Sequence, residues 1–263
     1  MPPSAVYRSK ARQALRGNWQ AALLITFSAG IFDVILSVIQ LRSTLKMPSS
    51  ARFLDIVSEG QSQIAAFEPL RLIFFVLSFL FSSALAIGMY NYYLHLQRGQ
   101  ETPYSLLFSR MHILGKCLGQ SLLIGLFSLG WGIVVFAPFF LIVLLLQGMH
   151  IVLAYIIIIA LALLLLLITL RYAMAPYLMA DQPEIGVMDS IRESKRMMAG
   201  QAGRLFRLQF SFIGWSLLAG AIIYGLRSLS PVMGTVAGLF CSLAINVYMN
   251  ASITAFYLDF LSE

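Results

Sequence analysis

The residue with the most chemistry open to it is an acid in an apolar run. Asp33 lies between Trp19 and Leu41, and on a helix rising ~1.5 Å per residue it sits about 21 Å beyond Trp19. An ionised carboxylate at that depth costs about 2.5 kcal/mol or more on insertion scales, so it must face the interior and be protonated, paired or wet. The natural counterpart is the last apolar run, where Gly234, Gly238, Ser242, Asn246 and Asn250 recur every fourth residue. Counted back from Asp259 at the same rise, Asn246 falls about 20 Å deep, so Asp33 and Asn246 can meet. Two readings stand: contact with an ion, proton or polar solute, or a buried hydrogen bond between two helices.

A second set of charged residues falls between apolar runs. Asp189, Arg192, Glu193 and Arg196 share one side of a helical stretch, with Lys195 at its edge, while Val187, Met188, Ile191 and Met198 form the other. This is the pattern of a helix lying flat on a membrane surface. Arg192, Lys195 and Arg196 are the candidate surface for lipid or for a cytoplasmic partner.

Sequence signals for catalysis are absent. His95, His112 and His150 are isolated, without the spacing of a zinc-binding HExxH helix, and no nucleophile elbow or phosphate-binding loop occurs. No enzymatic activity, metal or cofactor is expected. Cys117 and Cys241 are placed at different depths, which argues against a disulfide.

The elements that position these residues follow from composition. The chain is 59% hydrophobic and 11% charged over 263 residues, against roughly 25% charged in soluble domains. Runs near the ~20 apolar residues that cross a bilayer occur at about 19–41, 70–96, 116–147, 150–180, 205–227 and 231–259. The expected fold is all-α: a single polytopic membrane domain over 1–263 with six transmembrane helices and short amphipathic interfacial helices at about 4–16, 103–112 and 184–198. The lipid bilayer is its solvent. The net charge of +7 reflects topology, and no nucleic-acid partner is expected.

Charge placement sets the orientation. With six spans and both termini inside, the inner segments hold Arg8, Lys10, Arg12, Arg16, Arg98, Arg110, Lys116, Arg171, Arg192, Lys195, Arg196, Arg204 and Arg207; the outer ones hold Arg42, Lys46, Arg52, Arg71 and Arg227. Thirteen of the 18 basic residues thus fall inside, as the positive-inside rule requires. No small-residue cleavage site follows the first span, which is therefore expected to remain as an anchor.

The chain also suggests a threefold hairpin repeat. An interfacial segment, a glycine (Gly17, Gly115, Gly200) and a helical hairpin recur, and the even-numbered spans end in Tyr93 and Leu94, Tyr177 and Leu178, and Tyr257 and Leu258. Internal repeats of this kind are common in membrane proteins that bind solutes at the repeat interface.

Residues Tyr172 to Trp215 carry a resemblance. Tyr172, Met174, Ala175, Pro176, Tyr177, Leu178, Ala180 and Asp181 lead into Ser190, Arg192, Ser194, Met198 and Gly200, then Arg204, Leu205, Phe206, Leu208, Gln209, Ser211, Phe212, Ile213, Gly214 and Trp215. With Gly17, Asn18 and Trp19 near the start, and Tyr248 to Ala251, Phe256 and Tyr257 near the end, the sequence resembles the bacterial integral-membrane family known as domain of unknown function 975. One departure is that Pro138 is followed by Phe139, where the family has proline-glycine after a shorter third span. The resemblance implies a bacterial plasma-membrane location and brings no reaction, substrate or catalytic residue. The expected function is handling of a small solute, peptide or lipid, without ATP hydrolysis, through a cavity beside Asp33, Ser242, Asn246 and Asn250. The alternative is a membrane-bound binding or assembly factor acting through its interfacial helices.

Overall fold

A computed structural model describes residues 4–31, 69–145 and 151–261. Asp33, the residues up to Pro69 and those from Gln147 to His150 lie outside the described residues. Within those residues there are ten α-helices and no strand: α1 Ser4–Leu15, α2 Trp19–Ala29, α3 Pro69–Gln97, α4 Leu114–Leu145, α5 Ile151–Thr169, α6 Ala175–Asp181, α7 Val187–Met197, α8 Ala202–Phe210, α9 Ile213–Leu229 and α10 Pro231–Leu261. Short 3₁₀ turns at Tyr104–Phe108 and Met111–Ile113 occupy the segment where a third amphipathic helix was expected.

Among the described residues four helical runs are long and apolar enough to cross a membrane: Tyr104–Phe140, Leu153–Asp181, Ala202–Leu229 and Val232–Leu261. Their exposed surface is apolar. Leu126, Leu129, Ile133 and Val134 stand out from α4, and Leu217, Tyr224 and Leu229 from α9. A water-soluble monomer rarely leaves so continuous an apolar surface bare, whereas lipid accepts it.

The buried core gathers at one end, where α3 is the hub. Tyr92 and Tyr93 of α3 pack with Ala11 and Leu15 of α1, Ile25 of α2, Leu107, and Val247 and Ala251 of α10. A second cluster joins Ala84 and Leu94 of α3 to Tyr177 and Leu178 of α6, Leu205 and Leu208 of α8, and Phe256 and Tyr257 of α10. On α3, Ala84, Ile87 and Leu94 face one cluster and Leu85, Met89, Tyr92 and Leu96 the other, each set spaced as one helical face. From this end the hairpins α4/α5 and α9/α10 project.

Two spans read as continuous in the sequence are interrupted. The run of α5 ends in a 3₁₀ turn at Leu170–Tyr172 and restarts as α6, with Pro176 in the first turn. A proline N–H is not needed there. Side chains from neighbouring helices satisfy the backbone groups freed at the break. The Met174 N–H donates to Ser194 Oγ at 3.2 Å, and that hydroxyl donates to the Arg171 carbonyl at 2.9 Å. Gln120 Nε2 donates to the Ala175 carbonyl at 2.9 Å and to Ser190 Oγ at 2.7 Å. Ser194 is buried, so Ser194→Ala strands a backbone donor and is expected to cost about 2 kcal/mol. Thermal unfolding in detergent, with Ser194→Thr as the hydroxyl-retaining control, measures it. The second interruption, at Ser211 and Phe212, separates α8 from α9.

The three glycines of the repeat do not behave alike. Gly17 and Gly200 take positive φ, +83° and +74°, directly before α2 and α8, a conformation that favours glycine. Gly115 lies in the first turn of α4, and among the described residues the other positive-φ glycine is Gly99, after α3.

Candidate functional site

The small-residue row of α10 winds around its helix, as a four-residue period drifting about 40° per step must. It starts against α9. A Cβ on Gly234 would fall 3.0 Å from both Cα and Cβ of Arg227, and one on Gly238 would touch Ile223 at 3.6 Å. Farther along, Ser242, Asn246 and Asn250 leave α9 and line a cavity of about 410 Å³ between α2, α3 and α10. Its other walls are Thr26, Phe27 and Gly30 from the α2 side and Ser82, Ala86 and Met89 from α3.

Among the described residues this cavity carries dipoles and no charged side chain. The Thr26 and Tyr93 hydroxyls share a 2.7 Å hydrogen bond, which ties α2 to α3. Asn246 Nδ2 donates to the Ser242 carbonyl at 2.9 Å, and Ser242 Oγ donates to the Leu239 carbonyl at 3.0 Å. Among the described residues the Asn250 side chain makes no hydrogen bond. Apolar walls with a few fixed amide and hydroxyl groups suit a neutral or amphiphilic molecule. Sequence reasoning placed Ser242, Asn246 and Asn250 on one winding row, and the fold gathers all three on one wall.

Asn250 also borders a second cavity, of about 350 Å³, where α3, α4, α5, α6, α8 and α10 converge. Tyr90, Ser128, Thr169, Tyr177 and Gln209 supply its polar lining. None of these five stands out as a site residue in the sequence. A tyrosine at a helix end is expected anyway, and Gln209 is one of several polar residues in a stretch already explained by the surface. Only the convergence of six helices distinguishes them.

Polar contacts fasten the buried end. Arg98, just past α3, makes a two-pronged pair with Asp181 at the end of α6, 2.8 and 2.9 Å, and Tyr257 of α10 donates to the same carboxylate at 3.3 Å. The Asp181 hydrogen bonds raise the Arg98 guanidinium above its ordinary value, opposed by partial burial. Arg110 donates to the Ala180 carbonyl and, at 3.2 Å, to Asn91 Oδ1. Asp259 accepts from Tyr7 at 2.7 Å and lies 3.9 Å from Lys10. Arg171 makes no ion pair with Asp181 or Asp259, which Arg98 and Lys10 reach instead.

The charged helix α7 is less open than its pattern suggests. Arg192 and Arg196 are exposed but lie 3.5 Å and 3.7 Å from Asp189 and Glu193 on the same helix. Lys195 turns inward, its ammonium 5.0 Å from the Phe127 ring centre and 5.2 Å from that of Tyr172, a cation–π seat. Trp131 Nε1 donates to the Tyr172 hydroxyl at 3.1 Å, which completes the link between α4 and the α5/α6 break. Both cysteines are free. Among the described residues no three His, Cys, Asp or Glu side chains converge as a metal-holding set would.

A family model described as protein of unknown function (DUF975) matches residues 1–263. The chain belongs to the DUF975 family. Comparison with curated proteins and with solved structures gives no match. For this DUF975 protein, chemistry must therefore be argued from the two cavities and the polar end of the bundle.

Proposed function

We propose that this chain is a bacterial plasma-membrane protein of six spans, with both termini cytoplasmic and three hairpins related as repeats, that binds a small solute, peptide or lipid in the cavity between α2, α3 and α10. It handles that molecule without hydrolysing ATP and without catalysis. The observation that supports this reading best is the wall of Ser242, Asn246 and Asn250, which brings amide and hydroxyl groups into an otherwise apolar space. A membrane bundle gains nothing in lipid solubility from two asparagines there, whereas a ligand with one polar end gains hydrogen bonds. Asp33 lies outside the described residues; on the sequence argument it adds a carboxylate at similar depth.

Asn246→Leu with Asn250→Leu is expected to lower uptake of, or sensitivity to, an amphiphilic toxin by about thirtyfold in cells carrying the protein, the loss of two ligand hydrogen bonds at ~1 kcal/mol each. The same membrane level of protein is expected, checked by immunoblot. Unchanged sensitivity in the double variant would sink the proposal. The other reading, an assembly factor acting through the interfacial helices, leans on the exposure of Arg192 and Arg196, but their pairing with Asp189 and Glu193 and the inward turn of Lys195 leave that face little free charge.

A further inference from the structure

A cleft of about 470 Å³ opens where α1 meets the start of α9 and the middle of α10. Its two ends differ in chemistry. Arg8 and Arg12, one helical turn apart on α1, and Trp19 at the start of α2 form one end. Phe212, Trp215 and Ile245 form the other, with Tyr248 between them. The α1 helix is held against the bundle by the adjacent stripe: Tyr7, Ala11 and Leu15 are buried, the Tyr7 ring meets Phe256 edge-on at 5.3 Å, and the Tyr248 hydroxyl donates to the Arg8 carbonyl at 3.3 Å. The basic residues therefore stand on a fixed helix.

Their charge is unspent. Lys10 has Asp259 within 3.9 Å, but among the described residues no carboxylate pairs with Arg8 or Arg12. A shallower hollow lined by Ser9, Arg12, Gln13, Arg16 and Trp19 continues the basic end outward. Two features noted above serve this cleft. The Gly17 turn brings Trp19 next to α1, and the interruption at Ser211 and Phe212 lets Phe212 and Trp215 face it instead of continuing a straight span.

We infer that this cleft binds an anionic glycerophospholipid, its phosphate held by the guanidinium forks of Arg8 and Arg12, its glycerol level with Trp19 and Tyr248, and one acyl chain laid along Trp215 and Ile245 towards the exposed α9 surface. Planar guanidinium groups match a phosphate diester in two-pronged fashion, and tryptophan and tyrosine rings prefer the headgroup level. A free anion would use the arginines and ignore the apolar wall. The inference requires the chain to be a membrane protein but is independent of the cavity between α2, α3 and α10, so either can fail alone.

The test uses the full chain in phosphatidylcholine nanodiscs doped with brominated phosphatidylglycerol or, in parallel, brominated phosphatidylcholine, and reads quenching of tryptophan fluorescence. Phosphatidylglycerol is expected to be favoured roughly thirtyfold near the tryptophans, two basic residues acting on one headgroup. Arg8→Gln with Arg12→Gln should bring the two lipids level, while Arg192→Gln with Arg196→Gln should leave the preference intact. A preference that survives the first pair, or disappears with the second, overturns the site. Soluble glycerol phosphate at millimolar concentration should not relieve the quenching; if it does, the cleft holds a free anion and the lipid assignment is wrong. Photo-crosslinking of unaltered protein with a diazirine-tailed phosphatidylglycerol tests the place without relying on any variant. Label is expected on peptides containing Phe212 to Trp215 or Ile245 to Tyr248, and label confined to α4 and α5 overturns the proposal.

Discussion

Replacing Gly88 by alanine is expected to abolish recovery of folded protein. Gly88 sits about two-thirds of the way along α3, where the backbone of the 3₁₀ turn Tyr104–Phe108 crosses it directly. An added Cβ would overlap the Leu107 carbonyl oxygen and lie 2.7 Å from its carbon and 3.2 Å from its Cα. Because the obstacle is main chain, no rotamer change relieves it. The turn itself is fixed by Leu107, buried beside Tyr92 and Tyr93, and by Asn91, whose side-chain amide donates to Ser109 Oγ at 3.0 Å. Overpacking of this kind costs about 3 kcal/mol or more. Gly125 on α4 is the control, since a Cβ there meets nothing within 4 Å; Gly125→Ala should be neutral or stabilising by up to ~1 kcal/mol. Size-exclusion profiles and melting curves in detergent separate the two. A Gly88→Ala protein that melts with the parent would show that the 3₁₀ turn is not seated on α3.

Asp181→Ala is expected to be the most damaging exchange of a charged residue at the buried end. The carboxylate is 14% exposed and holds Arg98 in two places and Tyr257 in a third, so its loss loosens α6 from both α3 and α10. Breaking a fully buried pair costs about 3–5 kcal/mol. Arg98 is 34% exposed and can turn towards water, which reduces the expected loss to about 2 kcal/mol. Arg98→Ala should cost less than Asp181→Ala, because Tyr257 keeps its acceptor. A double-mutant cycle is expected to give a coupling of about 1 kcal/mol between Arg98 and Asp181. Additive effects would mean that the pair contributes nothing beyond the two side chains taken singly.

These positions also show how far the sequence could be read. The charged amphipathic helix at Val187–Met197 was legible because a helix with one buried side must separate its faces at a period near 3.6, and the long apolar runs because lipid demands them. The winding row of α10 followed from simple helical geometry. Gly88 was not legible, since a glycine in an apolar helix carries no mark of the chain that crosses it. The breaks after Thr169 and Phe210 were hidden for a related reason. Apolar composition continues through both, and the groups that make the first break tolerable, Ser194 and Gln120, are distant in sequence and reach it only when α4 and α7 pack beside it. Lys195 was read as a surface charge because periodicity places it at the edge of α7, and only the rings of Phe127 and Tyr172 turn it inward.

By itself the sequence determined that the fold is helical, that several runs are suited to lipid, and that Ser242, Asn246 and Asn250 follow one row, because each depends on composition or on spacing along a single helix. Tertiary structure alone decided that the row ends on a cavity against α2 and α3, that Arg98 rather than Arg171 meets Asp181, and that Arg8 and Arg12 face Trp215 across a cleft. Each of those joins residues far apart in the chain, and no property of the separate segments encodes the distance between them.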